Sequence, residues 1–185
     1  MKWLRARAAH QFEQLAIPHL TALYRAARSL SDPLTADDLV QETYLRAWKY
    51  FDSFDPTTDC RAWLFRILRN VWTDRLRKTR LEIPLSDIDG ATIEPYFDWE
   101  GEFLKAEFSE RVGSALAELP TEYRWSVLLA DVEEFSYQEI AGILSCPIGT
   151  VMSRINRGRR MLASLIRPCE QEQSRPQYRG KDVDA

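Results

Sequence analysis

The chain has 185 residues, 45% of them apolar, which suffices for one ordinary domain or two small ones and excludes a mainly disordered protein. Its net charge of -3 would by itself argue against a nucleic-acid partner, but the charges are segregated. Arg61, Arg66, Arg69, Arg75, Arg77, Lys78 and Arg80 stand with only Asp74 in one block, and five arginines stand without an acid between Gly149 and Arg167. Between these blocks, Glu82 to Glu107 carries eight acids against Lys105 alone.

The helical period runs through almost the whole chain, and no alternating strand interrupts it, so the fold class expected is all-α. His10 to Leu30 repeats apolar residues at Phe12, Leu15, Leu20, Leu23 and Ala27 and is closed by the turn-forming Ser31-Asp32-Pro33. Thr35 is expected to cap a second helix, with Asp37 and Asp38 favourable to its dipole and a stripe of Leu39/Val40, Thr43/Tyr44, Ala47/Trp48 and Phe51. After a loop from Asp52 to Asp59, a third helix runs from about Cys60 to Lys78. Leu64, Ile67, Leu68 and Val71 make its buried side, while Arg66, Asn70, Thr73 and Arg77 line another face. Trp63, Phe65 and Trp72 have the chemistry of stacking residues, yet at helical spacing at least two of them belong to the core.

Pro84, Gly90 and Pro95 mark an acidic linker. Periodicity returns from Phe103 to Leu116, and Pro120 opens a further helix. Ser136 and Glu139 then form a capping box, Ile140, Ala141, Ile143 and Leu144 give an apolar face, and Pro147 and Gly149 interrupt it. Thr150 is placed to cap the next helix, with Val151 and Ile155 facing inward and Ser153, Arg154, Asn156, Arg157, Arg159 and Arg160 left for solvent or nucleic acid. Small Ala141 suits two helices that cross closely, so this stretch reads as a DNA-binding helix-turn-helix rather than a plain helical hairpin. The tail from Pro168 to Ala185 is polar and expected to be disordered.

No enzyme is indicated. His10 and His19 are the only histidines, which leaves no Ser/His/Asp or Cys/His system, and there is no phosphate loop. Cys60, Cys146 and Cys169 lie far apart without metal-ligand spacing, so neither a metal, a cofactor nor a disulfide framework is expected. Met1 to Ile17 is broken by Lys2, Arg5, Arg7, His10 and Glu13, which predicts no signal peptide or membrane insertion and a cytoplasmic chain.

The stretches DDLVQETYLRAWKYFDSF, CRAWLFRILRNVWTDRLRK and LPTEYRWSVLLADVEEFSYQEIAGILSCPIGTVMSR resemble, in order and spacing, the two domains of bacterial sigma-70-type initiation factors of the extracytoplasmic-function group. The resemblance implies two small helical domains joined by the acidic linker: a region 2-like domain over 1–81, the linker over 82–105, a region 4-like helix-turn-helix domain over 106–167, and the tail over 168–185. By the same similarity, Asp38, Gln41 and Glu42 would dock on core RNA polymerase as a polar i, i+3, i+4 patch. The next helix would melt and read the minus-ten element through Arg66, Arg69, Asn70, Thr73 and Arg77, Asn70 and the Asp52 to Cys60 loop matching the family's pocket for a flipped-out base. Met152, Ser153, Arg154, Asn156 and Arg157 would meet the minus-thirty-five duplex, with Arg159 and Arg160 on its backbone. An anti-sigma partner is implied as well, and the motifs are similar to those of members regulated by zinc-binding anti-sigma proteins in redox stress.

Two departures stand out: Ser145 occupies a turn position where the family usually has glycine, and Asn156 one where it often has a bulkier side chain. Two elements one and a half to two turns apart lie roughly 50–70 Å apart at about 34 Å per turn. A flexible linker of about 25 residues spans only about 25–30 Å on average, so it must stretch in the working complex. The alternatives are a conventional helix-turn-helix regulator acting without core polymerase, and a pure interaction module.

Overall fold

Pro18 divides the amino-terminal helical segment that the apolar period alone would make continuous. In the computed structural model, which describes residues 2–82 and 112–166, helix α1 (Lys2–Ala16) gives way to a 3-10 turn (Ile17–His19) and helix α2 (Leu20–Arg28). The Tyr44 hydroxyl donates to the Ala16 carbonyl at 2.8 Å and ties the end of α1 to helix α3 (Pro33–Lys49). The cap of α3 differs from expectation. Asp32, not Thr35, is the N-cap: its carboxylate accepts from the Thr35 N–H at 3.0 Å, and Pro33 takes the first helical position, where a missing N–H costs nothing.

Helix α4 (Cys60–Glu82) packs across α2 and α3. Leu64, Phe65, Leu68, Val71 and Trp72 are buried, Ile67 is half-buried, and the core claims Phe65 and Trp72 from the three candidate stacking residues. A short helix over 112–118, α5, precedes α6 (Thr121–Val127), for which Pro120 is the N-cap rather than the first residue. One π turn (Leu128–Val132) follows directly, closed by the Glu133 N–H on the Leu128 carbonyl at 3.0 Å.

Helices α7 (Tyr137–Leu144) and α8 (Ile148–Ile166) form the helix-turn-helix. The capping box at Ser136 is complete, since both the Ser136 side chain and the Glu139 carboxylate satisfy backbone N–H groups. Ser145 adopts the left-handed conformation that its position demands, with φ 52°. Helix α8 starts at Ile148, so Thr150 lies in its first turn and does not cap it. A second close approach, of α8 to α6, is made by Gly158, where a Cβ would stand 2.6 Å from a Val127 methyl, while Ala141 of α7 is half-buried against the core.

No strand occurs among the described residues. Two helical domains are present, but their cores are continuous: Phe65, Leu64 and Leu68 belong to the same apolar cluster as Trp125, Leu128, Phe135 and Ile140. A smaller satellite cluster of Leu116, Leu119 and Val127 supports α5 against α6 and α8. The acidic linker and the polar tail lie outside the described residues.

Candidate nucleic-acid interface

The loop before α4 is built from short side chains that bond their own backbone. The Asp55 carboxylate accepts from the Thr57 N–H at 2.9 Å and from its hydroxyl at 2.7 Å, and the Asp59 carboxylate accepts from the Arg61 N–H at 2.7 Å at the start of α4. A ladder of rings carries the loop: Phe12 meets Phe51 edge-on at 5.1 Å, Phe51 stacks near Phe54 at 6.0 Å, and Phe54 meets Trp63 at 4.7 Å. Trp63 ends that ladder half-buried beside the loop.

On α4, Arg66, Asn70 and Arg77 are exposed and Arg69 and Thr73 are half-buried. The Arg69 guanidinium donates to the Asn70 side-chain oxygen at 3.3 Å, while Thr73 gives its hydroxyl proton to the Arg69 carbonyl at 2.8 Å. Asn70 therefore keeps its amide N–H₂ for another acceptor.

Asp38, Gln41 and Glu42 share the rim of a groove between α3 and α4, with a volume of about 440 Å³. Two members of that patch are already paired. Asp38 meets Arg75 at 3.2 Å, and Glu42 meets Arg46 at 2.8 Å, which in turn reaches Asp74 at 2.6 Å. Hydrogen bonds from Arg46 to Asp74 and Glu42 hold its guanidinium firmly in the charged form. The groove thus presents alternating charge around the apolar Leu45.

Helix α8 turns Val151, Ile155 and Gly158 inward. Met152, Ser153, Asn156, Arg157 and Arg160 are exposed, and Arg154 is half-buried with a guanidinium nitrogen 3.8 Å from the Cys146 sulfur. Arg159 is placed differently from its neighbours, because its guanidinium holds both oxygens of Asp131 at the π turn. That carboxylate raises the affinity of Arg159 for its proton.

The residue that the sequence did not reveal is Glu133. Its side chain is fully buried, yet it accepts from Arg25 at 3.0 and 3.1 Å and from Arg61 at 2.6 Å, joining α2 and α4 to the second domain. Within DVEEF nothing distinguishes Glu133 from Glu134, since the inward turn depends on the π geometry that precedes it. Among the described residues, no group of three or more His, Cys, Asp or Glu side chains could hold a metal, and no helix is long and apolar enough to cross a membrane.

The sigma-70 region 2 family matches residues 15–82, and the sigma-70 region 4 family matches 109–162. The chain is 40% identical over 151 residues to the ECF RNA polymerase sigma factor EcfG of Rhodopseudomonas palustris, covering 82% of this chain and 81% of that protein. Its structure is similar to that of the sigma factor RpoE in complex with the anti-sigma factor NepR from Bartonella quintana, with a TM-score of 0.69, 34% identity, and coverage of 84% and 96% of the two chains. It is also similar to CnrH in complex with the cytosolic domain of CnrY, with a TM-score of 0.63, 34% identity, and coverage of 88% and 94%.

Proposed function

The chain belongs to the extracytoplasmic-function group of sigma-70 initiation factors, and from that membership we propose how its residues divide the work of directing core RNA polymerase to promoters. The groove bearing Asp38, Gln41 and Glu42 takes the polymerase. The exposed face of α4, with Arg66, Asn70 and Arg77, takes the melted non-template strand of the minus-ten element, where cationic side chains hold phosphates and Asn70 reads an extruded base. The outer face of α8 reads the minus-thirty-five duplex in the major groove, with Arg154 the base reader and Arg157 and Arg160 on phosphates.

The observation that supports this reading best is that two basic helices of one chain, α4 and α8, each seal one face in the core and present arginine and asparagine on the other. A conventional operator-binding regulator has no use for the α3–α4 groove. The chain itself performs no chemistry in this account; phosphodiester synthesis belongs to the polymerase, and the site of action is the cytoplasm. By extension from the NepR-bound and CnrY-bound relatives, an anti-sigma protein restrains this chain until a stress or envelope signal releases it.

Run-off transcription tests the reading. Purified core polymerase should initiate from the cognate promoter only when this chain is added, and an inert mixture would refute the assignment.

A further inference from the structure

The first two turns of α8 differ from the rest of that helix. A helix that reads duplex DNA meets base edges with its amino-terminal residues. Here those residues carry no charge before Arg154. Their large exposed side chains are Ile148 and Met152, 43% and 47% accessible, and the i, i+4 spacing sets the two side by side on one face. A Cβ at Gly149 would meet nothing within 4 Å among the described residues, so the helix end beside the pair is open. Ser153 donates its hydroxyl proton to the Thr150 carbonyl at 2.9 Å, which leaves it only an acceptor for a base edge.

The surroundings of this apolar pair favour DNA over a protein partner as its cover. Met161 and Leu165 are exposed as well, but Met161 is nine residues past Met152. At about 3.6 residues per turn that puts it on the opposite side of α8. Ile148 and Met152 therefore make a short patch and not the stripe of successive anchors that seats a partner helix. Asn156, exposed one turn beyond Met152, continues their row, and the exposed Arg157 and Arg160 flank it with cations suited to phosphates. On the floor of a major groove the one apolar group that the four ordinary bases present is the C5-methyl of thymine.

We propose that Ile148 and Met152 read a thymine methyl in the minus-thirty-five element, Met152 making the principal contact, so that one T·A pair is specified by packing and not by hydrogen bonding. This rests on the reading of α8 as the duplex reader and names the base chemistry that its first turns take. Burying one methyl-sized group against the thioether should contribute about fourfold in affinity.

The experiment uses holoenzyme assembled from core polymerase and the full-length chain. From promoters randomised over the minus-thirty-five element it should select thymine at one position, and that thymine is then replaced by deoxyuridine, which lacks only the methyl. Closed-complex affinity of the wild type should fall about fourfold on the uracil promoter. Met152→Leu, which keeps the volume, should retain that sensitivity. Met152→Ala should bind the thymine and uracil promoters nearly alike, with core binding and helical circular dichroism unchanged, and Ile148→Ala should lose a smaller part of the discrimination. A wild type indifferent to every thymine-to-uracil replacement would overturn the proposal. In that event Arg154→Ala separates the two failures, because a lost upstream footprint would still show α8 reading duplex. Uracil sensitivity that persists in Met152→Ala would give the methyl to another residue and equally overturn the assignment. Weakened core binding by Met152→Ala without any uracil effect would make the pair a protein contact instead.

Discussion

Asp131 grips Arg159 with both carboxylate oxygens, so one arginine of the basic row on α8 braces the helix against the π turn. Arg160, its neighbour in sequence, is exposed, as the phosphate contact proposed for it requires. The two should separate on substitution. Arg160→Ala should lower the salt dependence of duplex binding by about one counterion. Arg159→Ala should leave that slope nearly unchanged and cost about 0.5 kcal/mol of stability, the modest value of an exposed pair. Salt titrations of duplex binding and denaturant melts distinguish them, and equal slopes for both variants would return Arg159 to the phosphate-binding set.

Core binding gives a second test. Asp38→Lys combined with Glu42→Lys reverses charge on the groove rim and sets each new lysine beside an arginine, Arg75 or Arg46. Association with core polymerase should fall about tenfold or more, with helical content kept. Undiminished capture by core in a pull-down would remove the groove from the polymerase interface.

Ser145 and Glu134 both hold left-handed backbone, with φ of 52° and 54°. Glycine accepts that conformation without the Cβ clash. Ser145→Gly should therefore stabilise the fold by about 1 kcal/mol, the left-handed penalty less the added freedom of the unfolded chain. Urea unfolding measures it, and a loss of stability would mean that the serine side chain contributes more than its strain costs.

Burial pushes the Cys60 thiol up to about 11. In the unfolded chain it ionises near pH 8.5. Its contribution to stability is present below about pH 8.5 and is lost as pH rises through about 11, because only the unfolded chain gains thiolate between those limits. Iodoacetamide at pH 8 should accordingly spare Cys60 in the native chain and modify it in urea. Prompt native alkylation, read by peptide mass spectrometry, would contradict the buried placement.

Much of this was legible in the residues. Alternating burial along α4 and α8 follows directly from the spacing of Leu64, Leu68, Val71, Val151 and Ile155, because a 3.6-residue period leaves little choice of inward face. The Ser136 capping box followed from local chemistry, and the left-handed Ser145 from the glycine that the resembled family usually has there. Local competition defeated other readings. Pro18 breaks an apolar period that would otherwise run on, and Asp32 captures the cap from Thr35 because Pro33 fits the first helical turn. The Glu133 pairing was illegible for a different reason. Its partners are 108 and 72 residues away, and no local pattern reports a pairing across domains.

Permanganate reactivity of promoter thymines near the start site, read with core polymerase and either Asn70→Ala or Arg154→Ala, tests most directly the division of labour between α4 and α8. Asn70→Ala should keep the upstream footprint but lose reactivity, and a pre-melted bubble should restore part of its transcription. Arg154→Ala should lose the upstream footprint and relax sequence preference there by about 1–3 kcal/mol, with no rescue of duplex reading by the bubble. Identical footprints, reactivity and rescue for the two variants would contradict the account.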